Sequence, residues 1–408
     1  CDSVSGKPEC AMSLSISDYN DFLQVAITKQ RHLYLTYRNQ PFWAWLPKST
    51  KFTGRNISIP LQYAANVGMS HSFTQAQTLA GGGKYEEFLL TRINWYNILQ
   101  IDAEVLDASM DDAWAEARQR EIDSAMERSG QVLSQKCVGR KYGWVAKVLS
   151  VSTTTITLTV RAHVGNFEKG ASFDFDTSES DTSPDVATAR IVLSVNHGAG
   201  TVTFTTDVAA AGVAANDFVF PTSDASASFS GVREWIPSTA PTSGDSHFGV
   251  DRSVDSKLYG VIFDGSAYSI EEALIRFMEV MFSVCGMKDW TLWISPKKFT
   301  DLILELGNKI FRDKFTVGEF GFETILLHYA GGTVKVMADN HFVNTEAYCL
   351  ERESVKFYSA GAAPKFLWKG NDNQIAVYNA DKIEVRMGCR GNLAFDAPGN
   401  NGYCLLTA

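Results

Sequence analysis

Two extended apolar runs, separated by a stretch that neither of them can bury, constrain this chain more than any other feature. Ile57, Ile59, Leu61 and Tyr63 alternate with polar or small residues, the period of a strand with one covered face. A second apolar and aromatic run leads from Tyr85 through Phe88, Leu90, Ile93 and Trp95 to Ile98. The stretch between them is mostly polar or small residues and ends in Gly81-Gly82-Gly83-Lys84. Such a long hairpin has a tip without a core of its own, and long loops inside compact domains are uncommon unless functional or mobile. The spacing predicts a projecting hairpin over 51–105. Its Ile57, Ile59, Phe73, Phe88 and Trp95 are expected to find cover on a neighbouring surface, with Lys84 near the tip.

A long helix is expected next, within 106–142. Ser109 is a good N-cap, and Asp111 and Asp112 occupy the first turn, where the helix dipole favours acids. Met110, Ala113, Trp114, Ala117, Ala125 and Met126 make one apolar stripe, and no proline interrupts the run before Gly139. The length would be about 40 Å, and one narrow stripe implies a helix lying across something rather than inside it. Upstream, residues 1–50 read as an arm. It has a polar start, a short stretch with Phe22, Leu23, Ala26 and Ile27 at helix spacing, and an aromatic run through Phe42, Trp43 and Trp45 in which Trp43 is a candidate contact residue.

Composition then shifts. Residues 143–235 are rich in Thr, Ser, Val and Ala, with strand-like runs at Val145–Val151, Thr155–Val160, Ala189–Val195 and Thr201–Thr205. They read as an inserted all-β module, and with five basic and ten acidic side chains this segment has a net charge of −5. Residues 221–256 are rich in Ser, Pro, Asp and Gly, so 236–256 read as a linker. From 257 to 408 the pattern is α+β. Ser269 with Glu272 forms a capping-box pattern before the helical run Ile270–Phe282. Trp290–Ile294 reads as a buried strand, and Ser295-Pro296 opens a helix that stops at Gly307. Strands follow at Ile325–Tyr329, Thr333–Met337, Ala347–Leu350, Val355–Tyr358, Ile375–Tyr378 and Ile383–Cys389.

The search for chemistry returns structural readings. With Tyr85 after Lys84 and a strand expected beyond, the glycine tip lacks the Ser or Thr and the helix of a phosphate loop. The seven histidines form no His-Glu-x-x-His motif, and no Gly-x-Ser-x-Gly elbow occurs. Seven widely spaced cysteines include no Cys-x-x-Cys pair, which argues against a zinc site or a secreted disulfide scaffold. Cys285, Cys349 and Cys389 read as small buried hydrophobes of a protein from a reducing cytoplasm. No catalytic, cofactor or metal residue is assigned, and the expectation is a protein that is not an enzyme. A net charge of −9 argues against broad electrostatic binding to nucleic acid. The start, Cys1 to Ser13, carries no apolar signal-peptide core, and no run approaches the roughly 20 apolar residues of a membrane span.

The order of parts (arm, long hairpin, lone long helix, β insertion, α+β region ending in strands) resembles the Hong Kong 97 capsid fold of tailed-phage major capsid proteins. Local stretches carry the resemblance further. They are Gly54-Arg55-Asn56-Ile57-Ser58-Ile59-Pro60 with Ala64–Gly68, the insertion runs Val145–Val160, Val164–Gly170 and Asn216–Phe220, and Ser269–Leu274 with Trp293–Phe299 and Gly332–Val336. The resemblance implies an N-terminal arm, an extended loop, a spine helix in a peripheral domain, and an axial domain with the peripheral return strands in 257–408. It also implies a homo-oligomer of hexamers and pentamers enclosing double-stranded DNA in a virion assembled in the host cytoplasm. Scaffold, portal and decoration proteins would be its partners, with no membrane and no sequence-specific DNA contact. In some family members a loop lysine is cross-linked to a neighbour's asparagine. Here Lys84 with Asn371 or Asn373 would be the matching pair. Two other readings stand beside it: an encapsulin-like compartment shell, and a β-rich binding or adhesion protein using residues 143–235.

Overall fold

The computed structural model describes residues 40–102, 111–222, 224–307, 316–317, 323–367, 374–378 and 382–407. The helical stretch expected around Phe22–Ile27, the cap at Ser109 and both Asn371 and Asn373 lie outside the described residues. The described chain opens with a short helix α1 (Pro41–Trp45) and strand β1 (Lys48–Ser49). A hairpin follows, β2 (Asn56–Ala64) and β3 (Lys84–Thr91), with a short helix α2 (Phe73–Thr78) in its loop. Then come β4 (Ile93–Asp102) and the 28-residue helix α3 (Asp111–Val138). Six strands succeed it: β5 (Ala146–Ser152), β6 (Thr155–Leu158), β7 (Ser172–Asp176), β8 (Ala187–Asn196), β9 (Thr201–Phe204) and β10 (Phe218–Pro221).

A one-turn helix α4 (Val232–Trp235) and the two-residue strands β11 (Ser246–His247) and β12 (Val250–Asp251) lead back to the rest of the molecule. That part contains β13 (Val261–Asp264), α5 (Ile270–Cys285), β14 (Trp290–Ile294), α6 (Pro296–Leu306), β15 (Thr316–Val317), β16 (Glu323–Tyr329) and β17 (Gly332–Ala338). Finally there are β18 (Glu346–Glu351), β19 (Val355–Ser359), β20 (Lys365–Phe366), β21 (Gln374–Ala376), β22 (Lys382–Phe395) and β23 (Gly402–Leu405).

Three sheet systems organise these elements. A seven-stranded sheet runs β13-β23-β18-β14-β17-β16-β15. All five residues of its central strand β14 are buried, Thr291 among them, which explains why Trp290, Leu292, Trp293 and Ile294 are apolar on both faces. The helix α5 covers this sheet through Ala273, Leu274, Phe277, Met278 and Met281, residues at three- and four-residue spacing. Its N-terminus differs from the expected capping box. The Ser269 hydroxyl donates to Glu305 on α6 instead of capping its own helix, while Glu272 pairs with Arg276 one turn on. A tertiary partner has displaced the local one.

The second system is a six-stranded sheet built on β22, a 14-residue strand. β19, β20 and β21 pair with successive parts of β22, and β4 runs antiparallel along it from Asp102↔Lys382 to Ile93↔Gly391. The run Tyr85–Ile98 is therefore two strands. β3 pairs with β2, the Arg92 N–H donates to the Arg55 carbonyl, and β4 then joins a different sheet. Apolar alternation continues across that change of partner, so periodicity alone does not mark it.

The third is a closed barrel, β10-β5-β6-β9-β8-β7, filled by Val148, Ile156, Phe167, Phe173, Phe175, Phe204 and Val219 among others. Its closing strands β7 and β10 were not among the strand-like runs. Ser172–Asp176 carries two aspartates, and both are buried acceptors. Asp174 accepts from the Ala189 N–H and the Thr222 hydroxyl, and Asp176 from the N–H groups of Ser178 and Asp185. Here buried carboxylates satisfy backbone donors that would otherwise be orphaned.

The helix α3 lies across β4 and β22 and then enters the largest core. Its buried positions Ile122, Met126, Ser129, Leu133 and Cys137 recur at three and four residues. Only Met126 of these belonged to the expected stripe. Ser129 is buried because its hydroxyl donates back to the Ala125 carbonyl and accepts from the Asn97 amide of β4.

The stretch after the barrel differs from a linker. Phe229, Val232, Trp235, Ile236 and Val250 all sit in the largest core. The Trp235 indole N–H donates to the Leu393 carbonyl at 3.0 Å, and its ring packs on Phe88 and Phe395 at 5.2 and 5.6 Å. Gly231 permits this approach, since a Cβ there would collide with the carbonyl oxygens of Cys137 and Gly139. The polar composition belongs to the turns, and the few apolar residues between them are anchors.

Candidate functional site

The hairpin is anchored at one end and bare at the other. Ile59 stands opposite Phe88 and Ile57 opposite Leu90 in the β2–β3 register. Phe88 lies fully buried against Trp235, and the Leu89 N–H donates to the Phe248 carbonyl. Beyond the bulge between Gln62 and Ala64 the hairpin's large side chains lie uncovered among the described residues. Phe73 is 81% exposed, Met69 78%, Val67 70% and Tyr85 66%, and α2 buries none of its residues. Large apolar side chains exposed together are the pattern of an interaction surface.

The candidate contact residues thus divide into three groups. Phe73 and Lys84 are exposed on the hairpin, and Ile57 and Trp95 are half-buried at its root and on β4. Ile59, Phe88 and Trp43 correct the expectation, for all three are buried in the chain's own core and present no surface to a neighbour. Trp43 packs edge-on against Phe357 at 5.2 Å, with the Lys48 ammonium 4.3 Å from its ring centroid. The end of the expected arm is likewise bound in: β1 pairs with β19, and the Phe42 N–H donates to Asp339. Strand alternation showed which side chains share a face, but not how far the core reaches along the hairpin.

A second uncovered surface is the face of the six-stranded sheet that turns away from α3. On β4 and β22 the residues Trp95, Leu99, Val385, Met387 and Cys389 point towards α3 or the large core. The alternate positions Tyr96, Ile98, Arg386 and Arg390 line an open groove of about 380 Å³ with Leu367 and Ile375. Tyr96 and Ile98 are 50% and 53% exposed. No motif announced this face, and only the pairing of β4 with β22 assembles it.

A third feature is a buried polar seam between the barrel root and the rest of the chain. His163, in the 3₁₀ turn Arg161–Asn166 after β6, is buried and its Nδ1 has no hydrogen-bond partner. Burial lowers its imidazole to about 3, helped by the nearby Arg233 and His341. Burial also lowers His341, against the opposing pull of Asp339. Arg233 on α4 donates to Glu346 at 2.9 Å and to the His341 carbonyl at 3.2 Å, and its guanidinium stacks 5.2 Å from the Trp144 ring. Arg128 of α3 reaches the carbonyl oxygens of Gly165 and Asn166 at 2.7 and 2.6 Å. Charge-assisted bonds thus tie the barrel to α3, while neutral histidines sit beside a buried arginine.

Among the described residues no three His, Cys, Asp or Glu side chains gather to hold a metal ion. Cys349 and Cys389 are buried free thiols, whereas Cys285 is only half-buried.

No protein-family model and no curated protein matches the chain. Among solved structures, a capsid subunit of cyanophage A-1(L) aligns at 10% identity and a TM-score of 0.49, over 90% of this chain and 92% of its own. The capsid protein of a native GTA particle aligns at 7% identity and 0.46, over 90% of each chain. The SrpI encapsulin of Synechococcus elongatus PCC 7942 aligns at 8% identity and 0.44, over 90% of this chain and 87% of its own.

Proposed function

We propose that this chain is the shell-building subunit of a tailed-phage head, a major capsid protein that assembles into hexamers and pentamers around double-stranded DNA. The observation that carries the reading is the hairpin: a base fixed in the core by Phe88 and Ile59, and a tip whose Val67, Met69, Phe73 and Tyr85 are exposed among the described residues. A surface of this kind is complementary to a site elsewhere on an identical molecule, and such head-to-tail contacts close into rings. On this reading the hairpin is the extended loop and α3 the spine helix of the peripheral domain. The seven-stranded sheet is the axial domain, and the barrel is the inserted β domain. A chain with net charge −9 suits a container wall that does not grip the DNA it encloses. Scaffold, portal and decoration proteins are the expected partners.

The test is assembly of the full chain followed by light scattering, beside the variant Met69→Ser/Phe73→Ser. Wild type should form particles and the variant should stay as dispersed, folded subunits. Equal assembly by both would remove the hairpin from its role. Nucleic acid recovered from particles made during infection supports a phage head, and an enclosed protein cargo supports the compartment-shell alternative.

A further inference from the structure

Among the described residues, nothing covers the open face of the six-stranded sheet. A sheet buries one face against α3, and its other face leaves Tyr96 and Ile98 half exposed beside Leu367 and Ile375. Gly388 deepens the groove between them. A Cβ there would collide with the Trp95 carbonyl oxygen and crowd Leu367 and the Tyr96 ring, so its absence leaves room on the sheet surface. Arg386 and Arg390 line the same face. Glu384 holds Arg386 through the guanidinium and is itself bound by Gln100, so Glu384, Arg386 and Arg390 together carry one positive charge in excess. Its occupant should therefore be short, apolar on one side and acidic.

Residues 15–27 have that character. Ile16, Phe22, Leu23, Ala26 and Ile27 lie within a stretch that carries Asp18 and Asp21 and no basic residue. Over 1–27 there are four acids and one lysine, net −3. The hairpin residues 61–92 hold two acids and two basic residues, net zero, and match the arginines less well. Reach is no obstacle, because residues 28–39 alone span roughly 40 Å when extended, and a sheet with one packed layer is only about 10 Å thick.

We propose that residues 15–27 dock on the outer face of β4 and β22. Phe22 and Leu23 enter the groove between Tyr96, Ile98, Leu367 and Ile375, and Asp18 and Asp21 face Arg386 and Arg390. The occupant is this segment of the chain, from the same copy or from an adjoining one. The contact is separate from the hairpin surface and does not depend on the shell reading.

The experiment places a photo-activated benzophenone side chain at position 98 of the full chain and maps the adducts by mass spectrometry. Adducts are expected within residues 15–27. In Asp18→Arg/Asp21→Arg their yield should fall about tenfold, and adding Arg386→Asp/Arg390→Asp should restore it. The Asp18/Asp21 substitutions lie outside every core described, so circular dichroism should match wild type. Adducts confined to the hairpin or to any other segment would overturn the assignment. So would the absence of adducts, or a yield indifferent to the charge reversal.

Discussion

His163 gives the seam at the barrel root a pH dependence whose sign follows from its burial. The imidazole titrates near 3 in the folded chain, against an ordinary value of 6.5. Below 6.5 the unfolded or locally opened chain takes up a proton that the closed seam refuses, because Arg233 and His341 stand beside a ring already stripped of water. The stability of the seam is therefore fully present above pH 6.5 and is lost as pH falls from 6.5 towards 3. Linkage gives a loss of about 2 kcal/mol between pH 7.5 and pH 5, and of about 5 kcal/mol at the acid limit. His341 and His247 are also pushed down by burial and add losses of the same sign. A variant that removes only the His163 proton site isolates its share. His163→Asn lowers stability at every pH through lost packing, so the readout is the slope with pH and not the level. Native-state hydrogen exchange suits a chain with several cores, because it reports opening segment by segment. After correction for intrinsic rates, amides in 142–148 and 217–231 should lose about 2 kcal/mol less protection in His163→Asn than in wild type between pH 7.5 and 5. Equal losses in the two proteins would refute the argument, and so would a wild-type seam insensitive to pH in this range.

Two further outcomes bear on the core. Phe88→Ala should cost about 3–5 kcal/mol in the isolated subunit, because Phe88 fills the core against Trp235 and not a contact between subunits; urea unfolding of dissociated subunits measures it, and a loss seen only in assembled particles would contradict the placement. Arg233→Met should cost on the order of 3 kcal/mol, since it leaves the part-buried Glu346 without its 2.9 Å partner. Replacing Glu346 by Gln in that variant should recover part of the loss in the same unfolding measurement.

Much of the fold was legible in the residues because local period and tertiary environment agree. The helix α5 and the strand β14 are read from their side chains, since one buries a stripe and the other is buried all round. The hairpin was legible as an element, but its reach into the core was not: Ile59 and Phe88 look like Phe73 in sequence, and only Trp235 distinguishes them. Trp235 itself was hidden in a Ser- and Pro-rich stretch, where Phe229, Val232, Trp235, Ile236 and Val250 carry the packing and the turns dominate the composition. The break at Arg92 and the groove beside Gly388 are properties of strand pairing between distant segments, which no window along the chain contains. The seam was equally out of sight, because His163, Arg233, His341 and Glu346 come from three separate parts of the sequence.

Electron microscopy of particles purified from cells expressing the full chain tests the shell-building claim most directly. Closed shells are expected, their walls resolved into fivefold and sixfold clusters, with each subunit's hairpin lying on its neighbour. A protein that remains a dispersed monomer at high concentration, with its hairpin in contact with nothing, would contradict it.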